Sequence, residues 1–298
     1  MALPLRAEVL PFPARRSRGR AVLAATRPRQ WSKNLLLFAG LVFAAKIGDQ
    51  LRWVEACTAF VAYCAASSAA YLVNDVIDAE RDRLHPLKRL RPVARGEVQR
   101  RGACLLAGAL AVLAFGLVVP LGVASVALLT GFLALQGAYT FALKHVVLVD
   151  VLAIAALFVI RAAGGAAAVD VRISPWLLLV TALLALFLAL AKRRSELAVA
   201  GSARPVLDGY SLPLVDQLIS VSVAATIAAY SVYTFTAHDP ALMATIPFVV
   251  FGLFRYLLLV HRDDLGEEPE NVLLSDRPLV LAVFGWAVTA AVTLALTS

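Results

Sequence analysis

Asn74, Asp75, Asp78 and Asp82 are spaced so that, on one α-helix, three carboxylates and an amide face the same way. At 100° per residue the aspartates fall at about 0°, −60° and −20°, and Asn74 at about −100°. Like charges this close repel unless something positive sits between them. Carboxylate and amide oxygens are hard ligands, and no Cys or paired His competes nearby. Mg²⁺ is therefore the ion this set suits, and because Mg²⁺ also takes phosphate oxygens, a diphosphate is its natural co-ligand. The next stretch, HPLKRLRP, ends the helix at His85-Pro86 and presents Lys88, Arg89 and Arg91 before Pro92. Arginine offers phosphate a two-pronged fork and lysine a mobile point charge. Lys88 and Arg91 thus read as a phosphate clamp beside a cation site. Arg81, Arg83, Arg89, Arg100 and Arg101 need no more than membrane topology to explain them.

The elements that carry these groups are apolar. The 298-residue chain is 61% hydrophobic and 16% charged, with a mean hydropathy of +0.80. That composition implies an all-α polytopic membrane protein rather than a soluble domain. Apolar runs at 34–48, 52–73, 102–120, 122–142, 146–169, 174–191, 214–236, 241–260 and 278–297 predict about nine transmembrane helices. Threaded in that order, all but four of the 28 Lys and Arg fall on one side, the exceptions being Lys46, Arg52, Arg161 and Arg172. The positive-inside rule makes that side cytoplasmic, so every long polar loop faces the cytoplasm and the net charge of +8 calls for no nucleic acid. Residues 1–26 read as a basic, disordered cytoplasmic arm and 27–298 as a single transmembrane catalytic domain. Cys57, Cys64 and Cys104 lack metal-ligand spacing and read as packing residues. Small residues in RAAGGAAA and AASSAA allow close helix approach.

The stretch NDVIDAERD, of the form N-D-x-x-D-x-x-x-D on a multi-helix membrane scaffold, resembles the UbiA superfamily of intramembrane prenyltransferases. The longer string YLVNDVIDAERDRLHPLKRLRP, with RPRQWSKN at 27–34, AKRRSEL at 191–197 and GEEPENVLLSDRPL at 266–279, resembles its branch that uses 5-phosphoribosyl-1-diphosphate (PRPP). The superfamily's usual second aspartate motif is absent: the corresponding loop reads KRRSELAVAGSARPVLDGY. One acid-rich and one mainly basic face suit a substrate with a diphosphate at one end and a phosphate at the other.

The resemblance implies Mg²⁺-dependent transfer of phosphoribosyl from PRPP to a polyprenyl (decaprenyl-type) monophosphate in the plasma membrane, supplying lipid-linked pentose for cell-envelope glycans. Asp75, Asp78 and Asp82, with Asn74 as a further ligand, would hold the metal, assisted by Lys88 and Arg91. Lys192 and Arg193 are candidates for the ribose 5-phosphate, and Glu196 for ribose hydroxyls or for orienting those bases. Arg29 and Lys33 are candidates for the lipid phosphate or PRPP, with Lys144 and Tyr210 as further substrate contacts. Arg161, inside a span, either faces the cavity or pairs with a residue such as Asp150. In the third polar loop, Glu267, Glu268, Glu270 and Asp276 form either a lid or a solvated turn. A competing enzyme reading is prenyl transfer to an aromatic acceptor, against which the missing aspartate motif argues. A transporter would favour broken helices and midplane charge. Nothing in the sequence sets an oligomeric state.

Overall fold

The computed structural model describes residues 14–43, 46, 48–84, 88–198, 205–236, 240–262, 272 and 275–297. The described residues of each apolar run are mostly helical, the first run only as far as Phe43. The α-helices are α1 (Arg18–Ala25), α2 (Ala39–Phe43), α3 (Gln50–Ile77), α4 (Ala79–Leu84), α5 (Arg100–Val118), α6 (Val123–Phe141), α7 (Val149–Ala168), α8 (Pro175–Ala198), α9 (Leu212–Thr236), α10 (Ile246–Arg262) and α11 (Arg277–Thr297). Among the described residues, seven helical segments are long and apolar enough to cross a membrane, and a shorter apolar helix covers Arg277–Thr293. Backbone polar groups have no water to bond in a bilayer core, so a spanning segment must satisfy them internally.

The first span differs from the rest. Pro28–Phe38 is a 3₁₀ helix that continues into α2. Eleven residues rising about 2.0 Å each, plus five rising about 1.5 Å, extend roughly 30 Å, the thickness of the hydrocarbon core. This narrow segment lies against α7, where the backbones nearly touch. A Cβ on Gly165 would come 2.0 Å from the Leu37 carbonyl oxygen, and one on Gly40 would come 2.7 Å from Ala166 Cα. The small residues at 162–168 therefore serve helix packing, as expected. Within the arm, residues 18–25 form α1, and Ala21 and Ala25 are buried with Ala69 and Leu72 of α3.

Length decides where the polar groups emerge. α3 has 28 residues, about 42 Å, so its last turns, with Asn74 and Asp75, extend beyond a 30 Å core. α8, with 24 residues, likewise carries Lys192–Glu196 past its apolar part. Pro120 lies in the turn between α5 and α6, which Gly122 closes at φ +97°. Side chains such as Leu105 and Val112 on α5 are about three-quarters exposed, the arrangement of a surface that faces lipid.

Gly165→Ala is expected to destabilise the bundle by about 1–3 kcal/mol through overpacking against Leu37. Gly116→Ala, in α5 with open space around it, should leave stability unchanged or slightly raised. Thermal unfolding of the two detergent-solubilised variants checks the pair; equal melting temperatures would count against the close approach.

Candidate active site

The acidic motif does not lie on one uninterrupted helix. α3 ends at Ile77, Asp78 caps it, and α4 begins at Ala79. The hydrogen-bond ladder still runs through the break, from Asp78 N to Asn74 O at 2.9 Å and from Asp82 N to Asp78 O at 2.8 Å. The helical path therefore keeps the aspartates neighbouring while Asp78 turns toward a different partner.

Each aspartate faces a cation. Asp75, 1% exposed, accepts from Arg27 and, at 3.3 Å, from Arg91 Nη1. The same Arg91 nitrogen reaches Asp82 Oδ2 at 2.7 Å. Asp78 Oδ2 lies 3.4 Å from Lys144 Nζ, in the turn between α6 and α7. Arg27 holds its position with φ +53°, an unusual conformation for a bulky residue, and its guanidinium stacks over Tyr71 at 4.9 Å. The neighbouring Thr26 carbonyl accepts from Ser68 Oγ, which itself accepts from Trp31 Nε1 at 3.0 Å, pinning the start of the first span to α3.

Arg91 is delivered by a folded loop. Arg91 N bonds Lys88 O at 2.9 Å and Glu97 N bonds Pro92 O at 2.9 Å, while Gly96 turns the chain at φ +71°. The arm clasps this loop: Arg16 Nη1 donates to Glu97 Oε2 at 2.9 Å and to Leu90 O at 3.2 Å. Burial pushes the Glu97 carboxyl up, but Arg16 and Arg95 outweigh it and hold the group below the usual carboxylate range.

A second cluster lies where α7, α8 and the 205–210 loop meet. Asp150, fully buried, accepts from Arg193 Nε at 2.7 Å through Oδ2 and from the Tyr210 hydroxyl at 2.6 Å through Oδ1. Arg193, 1% exposed, also pairs with Glu196 and donates Nη2 to Tyr139 Oη at 3.4 Å. Tyr210 Oη in turn accepts from Leu148 N at 2.8 Å. Burial and the bond to Asp150 push the Tyr210 phenol up, so it stays a donor. Arg193 and Tyr210, expected to touch substrate, are bonded to Asp150, and Arg193 also to Glu196. Sequence shows three consecutive basic residues, 192–194, but a helix points them three ways. Lys192 is half-buried, Arg193 faces Asp150, and Arg194 reaches Asp216 on α9 at 2.8 Å.

Other expectations resolve individually. Asp150 is taken by Arg193, so it does not pair with Arg161; Arg161 donates to Asn34 Oδ1 at 2.8 Å and to Leu157 O at 3.1 Å. Lys33 donates to Gln30 at 2.5 Å, and Arg29 and Lys88 are exposed. Asp276 caps α11 and forms a two-pronged pair with Arg255, which holds its carboxyl below the usual range. It is a helix tie rather than part of a lid. His85, Pro86, Glu267, Glu268 and Glu270 lie outside the described residues. Sequence reasoning passed over Arg27, although it opens the 27–34 motif, and Tyr139; Asp150 was legible as a lone acid in an apolar run.

The donor chemistry fits a hard dication. Asp75 Oδ2 is buried with no hydrogen-bond partner, and the Arg91 guanidinium stands between Asp75 and Asp82 where such a cation would balance them. Among the described residues no three acidic, His or Cys side chains converge on one point; Asp75 and Asp82 pair with Arg91, Asp75 also with Arg27, and Asp78 with Lys144.

Comparison with known proteins gives these residues a context. Residues 35–275 match the UbiA prenyltransferase family. The decaprenyl-phosphate phosphoribosyltransferase of Mycolicibacterium smegmatis is 34% identical over 286 residues, covering 89% of each chain. The enzyme of that name from Mycobacterium tuberculosis is 35% identical over 291 residues, covering 90% of this chain and 92% of its own. A UbiA homologue from Archaeoglobus fulgidus, solved with GPP and Mg²⁺ bound, superposes with a TM-score of 0.73 over 92% of this chain and 99% of that one. At 17% identity that likeness is one of fold.

Asp150→Asn is expected to cost about 3 kcal/mol, because Arg193 then keeps only Glu196 as a buried counter-charge. Tyr210→Phe should cost about 1–2 kcal/mol by leaving Asp150 Oδ1 and Leu148 N without their hydroxyl partner while Arg193 still holds Asp150 Oδ2. Denaturant or thermal unfolding in detergent orders the two; a Tyr210 variant as damaging as the Asp150 variant would contradict the ranking.

Proposed function

The chain belongs to the UbiA prenyltransferase family, and from that premise we propose that it transfers a 5-phosphoribosyl group from PRPP to the phosphate of a polyprenyl, decaprenyl-type, monophosphate. The observation that carries the reading is the unequal pair of clusters. One set of aspartates, balanced by Arg27, Arg91 and Lys144, is suited to a metal-bound diphosphate. The end of α8 has Arg193 and Glu196 locked to each other where a prenyl-diphosphate enzyme would bring a second aspartate set. The named activity of the mycobacterial relatives supports the same choice.

Asp75, Asp78 and Asp82, with Asn74 beside them, would hold Mg²⁺. The ion supplies charge stabilisation for departing diphosphate oxygens. Arg91, Arg27 and Lys144, once relieved of the carboxylates, are within reach of the same phosphates, and Lys88 lies exposed on the loop that carries Arg91. In the transfer, the C1–O bond to diphosphate breaks and the electron pair leaves with diphosphate. An oxygen of the lipid phosphate forms the new bond to C1. That acceptor is already anionic, so no side chain has to remove a proton, and none of the clustered residues is a histidine. Donor charge grows on the leaving oxygens, where fixed cations are worth more than in water. Half-buried Lys33 and exposed Arg29, at the start of the first span, suit the lipid phosphate at the membrane surface. The distribution of basic residues supports a cytoplasm-facing site in the plasma membrane.

Purified protein incubated with ribose-labelled PRPP and polyprenyl monophosphate should move label into the organic phase, and chelation of divalent ions should stop it. Asp78→Asn should lower turnover by about 10²- to 10³-fold. Label remaining aqueous, while the same preparation consumes prenyl diphosphate with an aromatic acceptor, would transfer the assignment to prenyl transfer.

A further inference from the structure

Arg161 is a buried guanidinium, 4% exposed, that no carboxylate balances among the described residues. Its bonds go to an amide oxygen of Asn34 and a backbone carbonyl, and its flat faces are covered by Phe132 at 4.7 Å and Phe158 at 5.2 Å. Those bonds use Nε and Nη1, so Nη2 has no hydrogen-bond partner among the described residues. The contrast with Arg193, equally buried but held by two carboxylates, is one of charge. Arg193 sits in a locally negative group, whereas Arg161 leaves a positive charge uncompensated at membrane depth, where such groups are expensive and retained for use.

A second observation lies across from it on α3. Among the described residues, the hydroxyls of Tyr63 and Ser67 are buried without a hydrogen-bond partner, as is Asp75 Oδ2. Residues 63, 67, 71 and 75 advance by only about 40° per step of four, so all of them line one face of α3. The Tyr63 ring packs on Phe132 at 5.2 Å, the same ring that the Arg161 guanidinium covers at 4.7 Å. Ser67 is two turns below Asp75, about 12 Å along the helix before side chains reach toward each other. Native proteins rarely bury hydroxyls without partners, and each has a desolvation cost that a ligand can relieve.

We propose that Arg161, Tyr63 and Ser67 form an inward subsite for the 5-phosphoribosyl end of the donor, with the diphosphate held above it at Asp75, Asp78 and Asp82. This rests on the PRPP reading above. One uncompensated cation and two hydroxyl donors match a phosphomonoester, and the guanidinium, clamped between two aromatic faces, presents its N–H edge. A phosphate here gains a counter-charge that was missing. At Arg193 it would add negative charge to a group that already has two carboxylates.

The test titrates PRPP and polyprenyl phosphate separately, with ribose 5-phosphate and inorganic diphosphate as inhibitors. In Arg161→Lys, which keeps the charge and loses the fork, the KM for PRPP and the Ki for ribose 5-phosphate should rise about tenfold or more. The Ki for diphosphate and the KM for the lipid should stay within about twofold of wild type. Ser67→Ala and Tyr63→Phe should weaken ribose 5-phosphate severalfold while leaving the melting temperature equal or higher, since an unpartnered hydroxyl adds no stability. Unchanged ribose 5-phosphate inhibition in all three variants would overturn the proposal. So would a rise in the lipid KM alone, which would assign the subsite to the acceptor phosphate. Binding of ribose 5-phosphate, followed by calorimetry, separates the two levels. A wild type that binds it but transfers nothing from PRPP leaves the subsite standing and removes the activity.

Discussion

A carboxylate cannot remain charged inside an apolar helix bundle without a partner, and Asp75 shows how much structure that requirement organises. Its charge is met by Arg27 from the start of the first span and by Arg91 from the loop after α4. Neither arginine belongs to the helix that carries the aspartate. Removing either leaves an ionised group with too little compensation, so the 3₁₀ segment, the 88–97 loop and the end of α3 are tied into one unit. The arm adds to it through Arg16, which grips both Glu97 and the Leu90 carbonyl. The same pairing holds two guanidinium groups together at the C-terminal end of α3.

Apolar packing sets the frame for those ion pairs. Gly165 lets Leu37 approach α7 until backbones touch, and Gly164 does the same for the Tyr63 hydroxyl, which would lie 2.4 Å from an added Cβ. Glycine here brings the first span, α3 and α7 close enough for short polar side chains to meet. Asn34 reaches Arg161 across that seam. Lipid tails offer helices no hydrophobic gain on association, so close backbone contact and internal hydrogen bonds have to do the joining. The outward faces of α5 and α6 are free of such demands and carry leucine, valine and alanine.

The helical membrane bundle and the acidic motif were legible in the sequence because hydropathy and carboxylate spacing are local properties. Partner choice was not. Asp150 could be seen as a lone acid in an apolar run, but nothing local says that Arg193, rather than Arg161, is its mate. That is fixed by the register of α7 against α8. Likewise Lys192, Arg193 and Arg194 look equivalent in a string and separate only when 100° turns send them to three surroundings. Arg27 was missed for a further reason: its reach depends on a left-handed backbone at a bulky residue, which no propensity argument predicts. The kink at Asp78 belongs here too, since a continuous helix satisfies the same spacing.

The turn between α6 and α7 joins the two clusters. Tyr139 precedes it and touches Arg193, Asp150 follows it and holds both Arg193 and Tyr210, and between them Lys144 reaches Asp78. Tyr210 also bonds Leu148 N, in a residue with φ +66°, and Gly209 packs so tightly on Val147 that a Cβ would lie 2.4 Å from its Cγ2. The turn is therefore held from the α8 side in a conformation it would not choose alone. Lys144 is long and flexible, and a lysine loses considerable rotamer freedom when fixed. Anchoring its backbone on both sides reduces what remains to be lost when it binds an anion. The buried Arg193–Asp150–Tyr210 group fixes the turn from which Lys144 meets the acidic motif, coupling the α7–α8 half of the bundle to the half that carries the aspartates.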